Sequence, residues 1–176
     1  MNAISPRRSH ALVGAIAVLA LLLASCDTSA GPLRQGDHVP TLTITTRTGA
    51  SAEIVPAGDH ALWLVFWASW CYPCRAEWPG LNKAQQEQAA MQVRLVAISV
   101  DEQASTLEQF LAAHPANFEV VRDPEGQIAK RFGVMGFPTH VLIDEAGVVR
   151  AIVRGPLDGA RARALLQPGT ATAPEE

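Results

Sequence analysis

Residues 66–74 of the chain are Phe-Trp-Ala-Ser-Trp-Cys-Tyr-Pro-Cys. The apolar run that leads into them, residues 61–67, has the length and the strand-forming residues of a buried central strand. Residues 75–91, which follow, are rich in Ala, Gln, Glu and Lys and predict a helix. The sequence therefore predicts a strand, a tight turn and a helix that starts with Cys-x-x-Cys.

Cys71 and Cys74 are placed by this pattern for thiol–disulfide exchange. The start of a helix has unsatisfied N–H groups and the positive end of the helix dipole, and both stabilise a thiolate. We expect Cys71, which is nearer the helix start, to be the nucleophile, and Cys74 to resolve the mixed disulfide. The alternatives are a static disulfide or a pair of metal ligands. On the leading interpretation the protein needs no cofactor beyond the redox-active disulfide Cys71–Cys74, and no metal.

The first 25 residues predict an export signal. Arg7 and Arg8 precede an uninterrupted apolar run, residues 11–24, and small residues follow it. The run is shorter than the roughly 20 residues that span a membrane. Leu-Ala-Ser before Cys26 resembles the bacterial lipobox, which implies cleavage before Cys26 and lipidation of its sulfur. An uncleaved signal anchor is the alternative.

The cysteine count agrees with this interpretation. Three cysteines leave one thiol over in an exported protein, and lipidation of Cys26 accounts for it. A disulfide between Cys71 and Cys74 closes almost no loop, so it is more typical of catalysis than of stabilisation. Asp27 resembles the signal that retains bacterial lipoproteins at the inner membrane. We therefore expect a lipid-anchored protein of the bacterial cell envelope that faces the periplasm.

Length and charge limit the partners. The chain has 176 residues and a net charge of −3, which becomes −5 without residues 1–25 because they include two arginines and no acid. This charge argues against nucleic acid as a partner. We expect a flexible tether at residues 26–36, one domain at 37–169, a disordered tail at 170–176 and a monomer.

The segments between tether and tail alternate between strand and helix patterns. We expect helix 105–113 to begin with Ser105 as N-cap and Glu108 in a capping box, and the next helix to begin at Asp123 and end at residue 132. The last helix is expected at 157–166. The strands are predicted at 41–46, 52–55, 61–67, 93–100, 118–121, 141–143 and 148–153. This order predicts a mixed α/β sheet covered on both faces, with a hairpin at each end.

Two separated motifs resemble the thioredoxin superfamily. Residues 66–79 resemble its active-site segment, and residues 134–139, Val-Met-Gly-Phe-Pro-Thr, resemble the segment that contains its cis-proline. More narrowly, the chain resembles the membrane-tethered thiol–disulfide oxidoreductases of the TlpA/ResA type. The resemblance covers about residues 36–166. It implies a thioredoxin-like mixed sheet flanked by helices, with an N-terminal hairpin and a strand–helix insertion between residues 93 and 121.

The resemblance also suggests roles for individual residues. Pro138 would be the cis-proline, and it would expose the Phe137 backbone to an extended substrate segment. Thioredoxin proper has a buried acid where this chain has Val65, and Glu77, three residues beyond Cys74, is the candidate to accept the proton of Cys74. An exposed, purely structural Glu77 is the alternative.

Further residues are predicted to contact the substrate or the disulfide. We expect Trp70 to shield the disulfide and Tyr72-Pro73 to tune its potential. The predicted substrate-binding residues are Trp70, Tyr72, Pro73, Phe137 and Thr139. His140 is expected to be structural.

The resemblance implies a reductase of exported proteins. Its partners would be protein thiols and disulfides, for example in cytochrome c or copper-site maturation, and a transmembrane thiol reductant of the DsbD/CcdA type. Two alternatives stay open. An oxidising, disulfide-forming protein would use the same cysteines. A Cu(I) chaperone could bind copper through Cys71 and Cys74 with His140 or Met135. Peroxide reduction is disfavoured because Ala68 stands where a peroxidatic site would have Thr.

Overall fold

Strand β3 (Ala61–Trp67) lies inside the sheet, as its apolar sequence predicts. The structure is a computed structural model that describes residues 31–56, 58–88 and 92–166. On one side β3 pairs in parallel with β4 (Val93–Ser99), and on the other it pairs antiparallel with β6 (Thr139–Ile143). Six of the seven β3 side chains are buried, because the strand has a neighbour on both edges and a packed layer on both faces.

Four further strands complete the sheet: β1 (Leu42–Thr45), β2 (Ser51–Ile54), β5 (Glu119–Arg122) and β7 (Val149–Arg154). The seven strands lie in the order β2-β1-β5-β4-β3-β6-β7. β1 and β2 form the predicted N-terminal hairpin, and β6 and β7 form the predicted C-terminal hairpin. The predicted mixed sheet is confirmed.

Two apolar cores lie on opposite faces of the sheet. The helices are α1 (Tyr72–Gln88), α2 (Ala104–Ala113), α3 (Gln127–Arg131) and α4 (Gly159–Leu166). Along β3, alternate side chains enter opposite cores, as the twofold period of a strand requires. Trp63, Val65 and Trp67 pack with buried residues of α1, α2 and α4, whereas Leu62, Leu64 and Phe66 pack with α3. The predicted helix layers on both faces are thus present.

The predicted boundary between tether and domain needs a correction. The Leu33 N–H donates to the Arg131 carbonyl at 2.8 Å, and the Gly36 N–H donates to the Val149 carbonyl at 2.9 Å. Leu33 also packs against the core that contains α3. Packing on the domain therefore begins before residue 37, and residues 33–36 are not a flexible tether. Residues 1–30, with the predicted signal and Cys26, and the tail 170–176 lie outside the described residues.

The predicted starts of two helices are wrong. Helix α2 begins at Ala104 after Gln103, with no side-chain cap, and Glu108 bonds to Arg47 of the β1–β2 turn instead of forming a capping box. Helix α3 begins at Gln127, not at Asp123, whose Oδ2 accepts the Ala129 N–H at 2.8 Å. In both cases the side chain that the local pattern assigned to a cap makes a different hydrogen bond.

Within residues 31–56, 58–88 and 92–166, no helix combines the length and the apolar character needed to cross a lipid bilayer.

Candidate active site

The Cys-x-x-Cys motif lies at the junction of β3 and α1, as predicted. The Cys71 N–H donates to the Ala68 carbonyl at 3.1 Å and closes a tight turn, residues 68–71. The Arg75 N–H donates to the Cys71 carbonyl at 3.1 Å, which is the first bond of the helix. Cys71 and Cys74 form a disulfide with their Cα atoms 5.3 Å apart. The strand therefore delivers the pair directly to a helix start.

The two sulfur atoms have different surroundings. The Cys74 N–H points at the Cys71 sulfur, with a nitrogen–sulfur distance of 3.3 Å. Cys71 is 6 % exposed and Cys74 is 1 % exposed. A helix-start N–H aimed at the Cys71 sulfur would stabilise a thiolate there. The geometry thus fits the predicted roles, in which Cys71 attacks the substrate and the more deeply buried Cys74 resolves the mixed disulfide.

A buried carboxylate fixes the turn that precedes Cys71. Asp101, which is 2 % exposed, accepts the Ser69 N–H at 2.9 Å and the Ser69 hydroxyl at 2.7 Å. It also accepts the Ser99 hydroxyl at 2.8 Å. Our sequence analysis missed Asp101. The available signal was an acid and a serine at the end of the buried β4 strand, beside the end of β3.

The second predicted motif forms the loop before β6. The Phe137–Pro138 peptide bond is cis, which confirms the predicted conformation. The Pro138 carbonyl accepts the Gly155 N–H at 2.9 Å, so the loop is tied to the end of β7. Thr139 requires a correction. It is 1 % exposed and its hydroxyl donates to the Gly136 carbonyl at 2.8 Å, so it shapes the loop instead of offering its side chain to a substrate.

Large apolar side chains flank the two motifs. Trp70 is 67 % exposed, Tyr72 is 80 % exposed and Met135 is 86 % exposed. The Trp70 and Phe137 rings meet edge to face with their centroids 5.9 Å apart, so the turn before Cys71 and the cis-proline loop are in contact. Pro73 is partly exposed. Of the predicted substrate-binding side chains, those other than Thr139 are therefore accessible.

Glu77 is buried, which excludes the alternative of an exposed surface residue. Its side chain is 4 % exposed, and its Oε2 accepts the Leu157 N–H at 3.1 Å. The same oxygen lies 3.5 Å from Nε2 of His140, whose side chain is fully buried. Our sequence analysis placed Glu77 one helical turn beyond Cys74 but did not foresee the histidine.

These positions bear on the copper alternative. The buried imidazole of His140 faces Glu77 and packs near Trp63, with ring centroids 5.9 Å apart. Within the described ranges, no group of three or more His, Cys, Asp or Glu residues is arranged to bind a metal ion. His140 is therefore not placed as a surface ligand for incoming copper.

Comparison with known proteins agrees with this geometry. Residues 35–152 match the AhpC/TSA family. Over 120 residues the chain is 30 % identical to the thiol-disulfide oxidoreductase ResA of Bacillus thuringiensis subsp. konkukian (strain 97-27). The aligned region covers 68 % of this chain and 69 % of that protein.

Two crystal structures share the fold. One is a Chlorobium tepidum protein provisionally identified as the thiol:disulfide interchange protein DsbE, with 33 % identity over 77 % of this chain and 99 % of the other, at a TM-score of 0.68. The other is StoA from Bacillus subtilis, with 25 % identity over 74 % and 100 % of the two chains, at a TM-score of 0.64. The chain belongs to the AhpC/TSA family and is a thioredoxin-like thiol–disulfide oxidoreductase of the ResA, StoA and DsbE type.

Proposed function

We propose that this oxidoreductase reduces disulfides of exported proteins while held to the bacterial inner membrane by a lipid on Cys26. The observation that carries the proposal is the Cys71–Cys74 pair at the start of α1, beside exposed Trp70 and Tyr72. The export signal and the lipobox-like residues before Cys26 support the location. Disulfides of cytochrome c or copper-site precursors are the substrates we propose.

Cys71 starts the reaction. Its thiolate, stabilised by the Cys74 N–H and by the helix start, attacks a substrate disulfide and forms a mixed disulfide with one substrate sulfur. The other substrate sulfur leaves as a thiolate and takes up a proton. Exposed Trp70 and Tyr72 contact the substrate segment, and the Phe137 backbone pairs with it as an added strand would.

Cys74 completes the reaction. It loses its proton to Glu77, attacks the Cys71 sulfur and releases the second substrate thiolate, which is then protonated. Two electrons thereby pass from the Cys71/Cys74 dithiol to the substrate disulfide. A transmembrane thiol reductant of the DsbD/CcdA type would return the pair to the dithiol, and the protein would act as a monomer.

The role of Glu77 is tested with Glu77→Gln. This variant keeps an acceptor for the Leu157 N–H but removes the proton acceptor. We expect disulfide reduction to be slower and its pH profile to change, because the resolving step loses its base. An unchanged rate and profile would remove Glu77 from the mechanism.

The direction of electron flow is tested in growing cells. Free thiols are trapped with an alkylating mass tag, and the doubly tagged fraction of the native chain is compared with that of Cys71→Ser. A reductase that is kept reduced gives a mainly dithiol Cys71/Cys74 pair. A mainly disulfide pair would instead support the oxidising alternative. A small difference in reduction potential decides between the two, because about 30 mV corresponds to about 1.4 kcal/mol in the equilibrium.

A further inference from the structure

A buried histidine–carboxylate pair connects the cysteine helix to the strand after the cis-proline. Nε2 of His140, on β6, lies 3.5 Å from Oε2 of Glu77, on α1. The histidine side chain is fully buried and the glutamate side chain is 4 % exposed. Cys74 precedes Glu77 by three residues, so their side chains lie on the same side of the helix. The pair is therefore close to the thiol that must lose a proton.

Three polar atoms of this pair are buried without a hydrogen-bond partner among the described residues. Neither ring nitrogen of His140 has a hydrogen-bond partner among the described residues, and neither does Glu77 Oε1. Buried polar atoms in native proteins are usually paired, because removing them from water without compensation is costly. The Nε2–Oε2 separation is slightly longer than a hydrogen bond, and hydrogen bonds at reactive sites often shorten only in the reacting complex.

Among the described residues around His140 that are named here, Glu77 is the one that can carry a charge. The residues opposite it in the sheet, Val65 on β3 and Val153 on β7, are apolar. Trp63, also on β3, packs near the imidazole. Leu157, before α4, contributes a backbone N–H that bonds to Glu77. In apolar surroundings the charge on one partner strongly affects the other, because little solvent screens their interaction.

We propose that His140 is a positioning residue for Glu77: its Nε2 orients the carboxylate that takes the Cys74 proton. The inference rests on Glu77 acting as the base described above. Nε2 of His140 and the Leu157 N–H both face Oε2 of Glu77, so the two groups together set where the carboxylate stands on the inner side of α1. The resolving step should therefore slow when the imidazole is replaced.

The resolving step can be observed by itself. The reduced full chain is mixed with 5,5′-dithiobis(2-nitrobenzoate) in a stopped-flow instrument at a series of pH values between about 5 and 9. The first thionitrobenzoate is released when Cys71 attacks, and the second is released when Cys74 resolves the mixed disulfide. The first phase is an internal control for folding and for Cys71. Because the probe is a small disulfide, the result does not depend on the physiological substrate.

Three variants test the histidine. His140→Gln keeps a side-chain N–H but does not titrate, and His140→Leu removes the polar group. The matched control is His114→Gln, which changes an exposed histidine beyond the end of α2. We expect His140→Gln to change the pH profile of the second phase, and His140→Leu to slow that phase about tenfold at neutral pH, less than the loss of a general base. His114→Gln should match the native chain.

A double variant distinguishes failure of the role proposed for His140 from failure of the role proposed for Glu77. If His140 acts through Glu77, the double change Glu77→Gln/His140→Gln should have the second-phase profile of Glu77→Gln alone. Additive effects, or a native profile in His140→Gln, would overturn the role of His140 while leaving Glu77 in place. A native second phase in Glu77→Gln would overturn the base assignment, and the role of His140 with it.

Discussion

Asp101 should be the most sensitive residue of the turn before Cys71. Its carboxylate is 2 % exposed and accepts three hydrogen bonds, from the Ser69 N–H, the Ser69 hydroxyl and the Ser99 hydroxyl. A hydrogen bond to an ionised group contributes about 1.5–3 kcal/mol. Asp101→Ala removes all three but also removes the cost of burying a charge, so we expect the free energy of unfolding to fall by about 3–5 kcal/mol.

A more conservative change at the same position should cost less. Asp101→Asn keeps one carbonyl oxygen for the Ser69 N–H, and the Ser69 hydroxyl can rotate to accept the new amide. We therefore expect a loss of about 1–2 kcal/mol for Asp101→Asn. Both variants should also slow the attack of Cys71 on a small disulfide, because Ser69 belongs to the turn that places Cys71.

Urea unfolding of the oxidised protein measures these losses. Asp158→Ala is the matched control, because Asp158 is exposed and caps α4 by accepting the Ala160 and Arg161 N–H groups. Loss of such a cap costs about 1 kcal/mol. If Asp101→Ala destabilised the protein no more than Asp158→Ala does, the reasoning about the buried network would be refuted.

Two further predictions concern the rest of the domain. Arg47 hydrogen-bonds to Glu108 and lowers the pKa of that carboxyl below its ordinary value. An exposed ion pair of this kind contributes at most about 1 kcal/mol. Glu108→Gln should therefore be slightly less stable than the native chain above about pH 4.5. The difference should disappear as the pH falls through the lowered pKa, and a difference that grew in acid would contradict the assignment. Phe132 is 1 % exposed and packs on Phe66 with ring centroids 5.5 Å apart. Phe132→Ala should lower the free energy of unfolding by about 3–5 kcal/mol in urea titrations. A loss below about 1 kcal/mol would mean that the site collapses around the smaller side chain.

The elements with strong apolar patterns were predictable from the sequence. Strand β3 has the predicted bounds, because a buried central strand has an uninterrupted apolar run to mark it. The helix that starts with the cysteines was predictable because its composition and its preceding turn agree. The cis bond before Pro138 was predictable only through the resemblance of its flanking residues to a known motif.

Features that depend on distant partners were not predictable. Glu108 matched a local capping pattern, but Arg47, 61 residues away, bonds to it instead. Asp101 and Ser69 are 32 residues apart and meet only because β3 and β4 pair in register. His140 approaches Glu77 because β6 pairs with β3 in a register that no local pattern specifies. Sequence patterns identified the cysteines, but tertiary contacts determine the groups that assist them.

Mixed-disulfide trapping with Cys74→Ser tests the central claim most directly. Without the resolving thiol, Cys71 should stay covalently linked to its substrates, since the mixed disulfide has no internal thiol to attack it. In cells producing the full chain, we expect Cys74→Ser to accumulate covalent adducts with exported proteins that a thiol reductant releases, whereas Cys71→Ser accumulates none. Equal adducts in both variants, or none in Cys74→Ser, would contradict the assignment of Cys71 as the attacking thiol of an exported-protein reductase.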